Sequence, residues 1–237
     1  MSSAAHLYLI PSTLGNENPL THLPAATLKK IQTITHFIVE NEKSERKFLK
    51  ACEIKTAQSD LNIYQLDKHD KRDDAHEFMD ESTMQGKSIG LLSEAGVPAV
   101  ADPGSKIVIK AHEMGIKVVP LIGASSILMA LMASGLNGQQ FTFHGYLPIP
   151  TEERKREIRN IEQESKQTGY TQIFIETPYR NNAMLKDLLS TCNKHTKLSI
   201  ATNISQANEQ CNYYRIAEWK KIKIDLNKKP SVFLLMA

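Results

Sequence analysis

What these 237 residues lack narrows the field before anything else is read. The longest apolar stretch, around residues 127–132, is far too short to cross a bilayer and is flanked by Ser125, Ser126 and Ser134. Met1 to Ala5 carries no basic residue and leads into no apolar core, so no secretory signal is expected. The expectation is a cytoplasmic protein without a membrane partner. Three cysteines, Cys52, Cys192 and Cys211, lie far apart and in no C-x-x-C pair, which argues against a disulfide framework or a zinc site. The eight histidines never recur as H-x-x-x-H, so no metal is expected. There is no G-x-G-x-x-G and no G-K-[ST], so the ligand is not expected to be held through a phosphate chain. Charge of one sign is scarce too: the net is only +3. Acids slightly outnumber bases up to Pro150 and bases outnumber acids after it. That asymmetry fits either one face for an anionic partner such as RNA or a plain solvated surface.

What is present belongs to an ordinary globular chain. Hydrophobic residues make up 41% and charged residues 23%, enough for a core in one or two domains. Short apolar runs at 7–10, 37–39, 63–66, 89–92 and 118–121 read as strands. Helical patterns at 24–33, 42–52, 72–85 and 106–114 separate them. Five strands with helical crossovers predict a mainly parallel five-stranded sheet with helices. The segment 127–134 is apolar nearly all round and predicts a helix buried between layers. Beyond it the texture changes. Strands are expected at 141–143, 172–175, 198–202, 213–216 and 232–236, with helices only at 152–167 and 181–192, a mixed α+β pattern. We therefore expect an α/β protein of two domains, 1–120 and 121–237, with no disordered linker and no internal repeat.

Two small-residue turns hold most of the functional information. Ser93-Glu94-Ala95-Gly96-Val97-Pro98, closed by Asp102-Pro103-Gly104, follows one apolar run, and Gly123-Ala124-Ser125-Ser126 follows the next. Both fall at the carboxyl ends of predicted strands, where open α/β sheets bind ligands. Asp102-Pro103 reads as an N-cap with Pro in the first turn, and Ser125 or Ser126 as either a helix cap or an anion-binding hydroxyl. Capping does not account for the run of small side chains from Ala95 to Ala101. Pro11 to Asn16, after the first strand, reads as a strand-to-helix turn with exposed amides.

The order and spacing of these segments resemble the tetrapyrrole methylase superfamily, and within it the branch that methylates a cytidine ribose in small-subunit ribosomal RNA. Leu7 to Pro11 with Gly15-Asn16 is similar to that branch's opening strand and turn. Ser93 to Pro98 with Asp102-Pro103-Gly104 is similar to its Ser-Asp-Ala-Gly-Thr-Pro and Asp-Pro-Gly. Gly115 to Leu121 with Gly123, Gly145-Tyr146-Leu147-Pro148 and Glu176-Thr177-Pro178-Tyr179-Arg180 are similar to three further motifs. Departures are Glu94 for Asp, Val97 for Thr, Asn41 for an Asp after Glu40, and Ile122 and Ala124 for prolines. The chain also ends at Ala237, where many relatives continue into a small helical extension.

The resemblance implies two α/β domains with S-adenosyl-L-methionine (SAM) in the cleft between them, and a homodimer. It implies a cofactor slot of Pro11, Gly15, Ser93, Glu94, Ala95, Gly96, Pro98 and Asp102, with Ser125, Ser126, Leu147 and Thr177. A ribose hydroxyl is a poor nucleophile, so a base is expected to help, and Glu40, His69 and Asp70 are the candidates. Arg46, Lys68, Arg72 and Arg180 either hold RNA phosphates or are solvated charges. The implied partner is ribosomal RNA or the small ribosomal subunit. Two other functions stay open: a methyltransferase for tetrapyrroles or other small molecules, and a non-catalytic SAM-binding regulator.

Overall fold

The short apolar runs form strands, and the central ones among them are buried on both faces. A computed structural model describes residues 5–15, 17–66, 75–102 and 104–237. Strands β1 (His6–Ile10), β2 (His36–Val39), β3 (Asn62–Gln65), β4 (Ile89–Leu92) and β5 (Lys117–Pro120) make one sheet in the order β3-β2-β4-β1-β5. Every pairing is parallel, with Leu7 opposite both Ile89 and Val118 and His36 opposite Ile89. Alternate residues feed two helical layers. Ile10, Phe37 and Val39 pack with Leu28 and Ile31 of α2 (Ala25–Ile31) and Leu49 of α3 (Glu42–Ala51). Leu7 and Ile38 pack with Met79 of α4 (Ala75–Met84) and with Ile107 and Ala111 of α5 (Ser105–Glu113). A sheet covered twice needs continuous apolar strands, which is what β2 and β4 supply. A single helical turn, α1 (Pro19–His22), is capped by the Asn18 side chain.

The second sheet is mixed, in the order β6-β7-β10-β8-β9. Its strands are β6 (Phe141–Tyr146), β7 (Thr171–Ile175), β8 (Lys197–Thr202), β9 (Gln210–Arg215) and β10 (Ser231–Met236). Only β6 and β7 run parallel; the other pairs are antiparallel. One face carries Phe174, Leu198, Ile200, Phe233 and Leu235 against α7 (Thr151–Thr168), α8 (Asn181–Thr191) and the short α9 (Ile216–Trp219). Helix α6 (Ser126–Ser134) packs on β8, β9 and β10. The chain divides into two units, 1–125 and 126–237. Each has its own core.

The expected burial of the 127–134 helix is not met. Ala130, Leu131 and Ser134 are buried, but Leu128 is 52% and Met132 82% exposed. An all-apolar helix carries no polar stripe from which to read its outer face. Asp102 is likewise not the cap of α5. Gly104 stands at that position without a side-chain bond, and Asp102 is used inside the preceding loop.

Candidate functional site

Parallel pairing brings the carboxyl ends of β1, β2, β4 and β5 to one edge of the first sheet, so the loops that follow them meet there. They interlock. Ser12, 3% exposed, donates its amide to the Gly96 carbonyl at 2.8 Å and its hydroxyl to the Ser93 carbonyl at 2.6 Å. The loop after β5 approaches so closely that a Cβ built on Gly123 would lie 2.2 Å from Pro11 Cγ. Only glycine fits there. The Thr27 hydroxyl of α2 donates to the Ile122 carbonyl at 2.9 Å and fixes the same loop from behind.

The loop after β4 is shaped from within. Asp102 Oδ1 accepts the amides of Ala99 and Gly104, both at 2.8 Å. Burial pushes the Asp102 carboxyl above its ordinary value, and the two amides pull against that. Ala99 and Ala101 take φ of 64° and 63°, left-handed angles that L-residues with a Cβ seldom adopt. Ser93, Gly96 and Pro98 are buried, whereas Glu94 and Ala95 are exposed. Of the predicted slot, Pro11 is buried at the end of β1 and Gly15 exposed four residues on. Half-buried Ser125 closes the first unit and Ser126 opens α6 in the second.

The end of β2 carries Glu40, half-buried, and then Asn41. Asn41 Oδ1 accepts the amides of Lys43 and Ser44 at 3.1 and 3.2 Å, capping α3. Its amide oxygen does what an aspartate would do at that place. One turn into the helix stands a residue the sequence reading passed over. Glu45 is 2% exposed and its Oε2 has no hydrogen-bond partner. Burial pushes its carboxyl up to about 8, and the charges of Glu94 and Glu40 push the same way. The signal was available: Glu45 and Leu49 on the buried face of α3, with Cys52 just past its end, recur at helical spacing. Glu40, Glu94 and Asp102 give this edge an acidic character, and Glu45 is buried close enough to feel the charges of Glu40 and Glu94. Arg46 is engaged elsewhere, with its guanidinium on Glu42 at 2.8 Å and on the Gln58 carbonyl. Lys68, His69, Asp70 and Arg72, like Asn16 and Pro103, lie outside the described residues.

In the second unit, Leu147 is 4% exposed with its side chain in the core. Thr177 is half-buried and donates its amide to Glu176 Oε1 at 2.6 Å. Arg180 donates to the same oxygen at 2.6 Å. Burial raises the Glu176 carboxyl, but the bonds from Arg180 and Thr177 and the guanidinium charge outweigh it and hold it below the ordinary value. Among the described residues no group of acids, histidines and cysteines is arranged to hold a metal ion. No helix among them is long and apolar enough to cross a membrane.

The arrangement has known counterparts. The family model described as tetrapyrrole (corrin/porphyrin) methylases matches residues 6–218. A ribosomal RNA small subunit methyltransferase I of Vibrio cholerae serotype O1 is 30% identical over 238 aligned positions, covering 99% of this chain and 77% of that protein. One of the same name from Halalkalibacterium halodurans is 33% identical, covering 86% of this chain and 66% of the relative. A crystal structure of the methyltransferase CobJ is similar in fold, with a TM-score of 0.64 at 14% identity, over 98% of this chain and 94% of that one. With the two sheets described above and a family match running through nearly all of the chain, this protein belongs to the tetrapyrrole methylase family.

Proposed function

We propose that this chain is a SAM-dependent methyltransferase whose acceptor is the ribose 2′-hydroxyl of a cytidine in small-subunit ribosomal RNA. The observation that carries the reading is 30% identity, across 99% of the chain, to a protein named as a small-subunit ribosomal RNA methyltransferase. The chemistry of the first sheet's carboxyl edge supports the cofactor class independently. SAM is a phosphate-free cation, and an edge of acids and main-chain groups suits a cation and repels a nucleotide polyphosphate. Glu94 and Ala95, the exposed residues of the predicted slot in this loop, would meet the cofactor, with Ser93, Gly96, Pro98 and Asp102 holding the loop's shape. When bound, SAM supplies a methyl group on a sulfonium already activated for displacement. The protein's task is then alignment and exclusion of water. Glu40 is the described candidate to accept the hydroxyl proton, with His69 and Asp70 the others. The resemblance also points to a cytoplasmic homodimer, checked by a solution mass of twice 26.6 kDa.

The test is a mass map of small-subunit RNA from cells with and without the encoding gene, joined to transfer of labelled methyl by the purified protein. One ribose methyl should be missing from the deletion strain and be restored in vitro. Identical maps, with SAM bound in calorimetry but no transfer to RNA or a porphyrinoid, would move the protein to the non-catalytic class.

A further inference from the structure

The turn that follows β7, with the first residue of α8, leaves hydrogen-bonding capacity unused. Glu176 Oε2, Arg180 Nε and Asn181 Oδ1 are all buried without a partner, three of only five such side-chain atoms among the described residues. Buried polar atoms in native proteins are normally paired, so these orphans set this turn apart from the rest of the described residues. The loop is nonetheless rigidly built. Glu176, its side chain wholly buried, holds Arg180 at 2.6 Å and leaves that side chain 35% exposed. The Arg180 side chain is therefore partly exposed on a fixed anchor.

Aromatic rings stand beside it. Tyr179 is 75% and Tyr146 57% exposed. Tyr146 owes its position to an irregularity in β6, whose register with β7 shifts between Phe143 and Tyr146 so that Tyr146 comes opposite Ile175, next to Glu176. Gly145 supplies the left-handed φ of 67° that such a bulge uses. The Tyr146 phenol acts electrostatically on Arg180. Two large exposed rings, one adjoining an anchored arginine in sequence and one acting on it electrostatically, match how single-stranded nucleic acid is held, by stacking on aromatics with a cation on the backbone.

We propose that Tyr146, Tyr179 and the Glu176-anchored Arg180 form a platform that takes an unstacked base of single-stranded RNA on the tyrosines and an adjoining phosphate on the guanidinium. Glu176 is a positioning residue. The inference rests on the RNA reading above and adds the recognition surface to it.

The experiment measures anisotropy of a labelled cytidine dodecanucleotide, across a salt series, with the full-length protein and its Tyr146→Ala, Tyr179→Ala, Arg180→Ala and Glu176→Gln variants. Each tyrosine variant should weaken binding at least fivefold without altering the salt dependence. Arg180→Ala should weaken binding and flatten the salt dependence by about one phosphate contact. Glu176→Gln should do the same more mildly, and an oligomer with abasic sugars should not distinguish wild type from Tyr179→Ala. Circular dichroism and thermal melts verify that each variant is folded. Tyrosine variants that bind within twofold of wild type, while wild type still methylates small subunits, overturn the platform and leave the proposed function standing. A wild type that neither binds the oligomer nor methylates RNA removes both.

Discussion

Glu45 is the residue whose chemistry is furthest from what its type suggests. A free glutamate loses its proton near 4.5; this one keeps it to about 8 because burial and the charges of Glu94 and Glu40 oppose ionisation. The folded state thus binds more protons than the unfolded chain between those values. Stability must fall as pH rises through that window, by an amount on the order of a few kcal/mol. Glu45→Gln removes the titration. Urea melts from pH 5 to 9 should show the variant losing this slope and exceeding wild type above pH 8, and an unchanged slope would refute the assignment. Sequence position alone exposed Glu45 to this reading, since it falls on the buried stripe of α3. Its neighbours did not, because Glu94 lies 49 positions away and only the parallel pairing of the sheet brings the two loops to one edge.

Among the elements, α3 tests whether a departure from the family resemblance matters. Asn41 stands where the related pattern has Asp, and it caps the helix through two amides. Asn41→Asp should leave the melting temperature within a degree or so, whereas Asn41→Ala should cost about 1 kcal/mol. Differential scanning calorimetry would read that as a fall of about 2–4 °C. The element level was also the most legible in the sequence. All five strands of the first sheet could be read because each is an apolar run bounded by polar or turn residues, and the mixed second sheet followed from its hairpin-like spacing. The one-turn helices α1 and α9 could not be read, since four residues show no period. Asp102 was misread because Asp-Pro-Gly is equally a cap signal and a loop-closing staple. Only the positions of the Ala99 and Gly104 amides decide between them.

At the scale of the molecule, the division into two units with separate cores sets how damage should spread. Arg154 is the clearest probe. Its guanidinium is almost wholly buried, donating to Asp187 Oδ2 through two nitrogens at 2.8 and 2.5 Å and to the Ile149 carbonyl at 2.6 Å. Arg154→Ala leaves the Asp187 carboxylate buried and uncompensated, a loss of about 3–5 kcal/mol. Hydrogen exchange should speed up within residues 126–237 and remain near wild type in β1, β4 and β5. Uniform acceleration over both units would mean that the two cores melt as one.

Ala99 and Ala101 hold a last consequence. Each methyl sits in a backbone conformation that glycine would occupy freely, at about 1 kcal/mol apiece. Glycine at both places should therefore make the protein harder to melt. It should also loosen the ring of atoms that Asp102 closes between Ala99 and Gly104, and with it the later half of the loop after β4. A doubly substituted chain that gains thermal resistance yet binds SAM more weakly would mark this segment as a mould kept stiff at the expense of durability. Equal or tighter binding would mean the stiffness serves nothing.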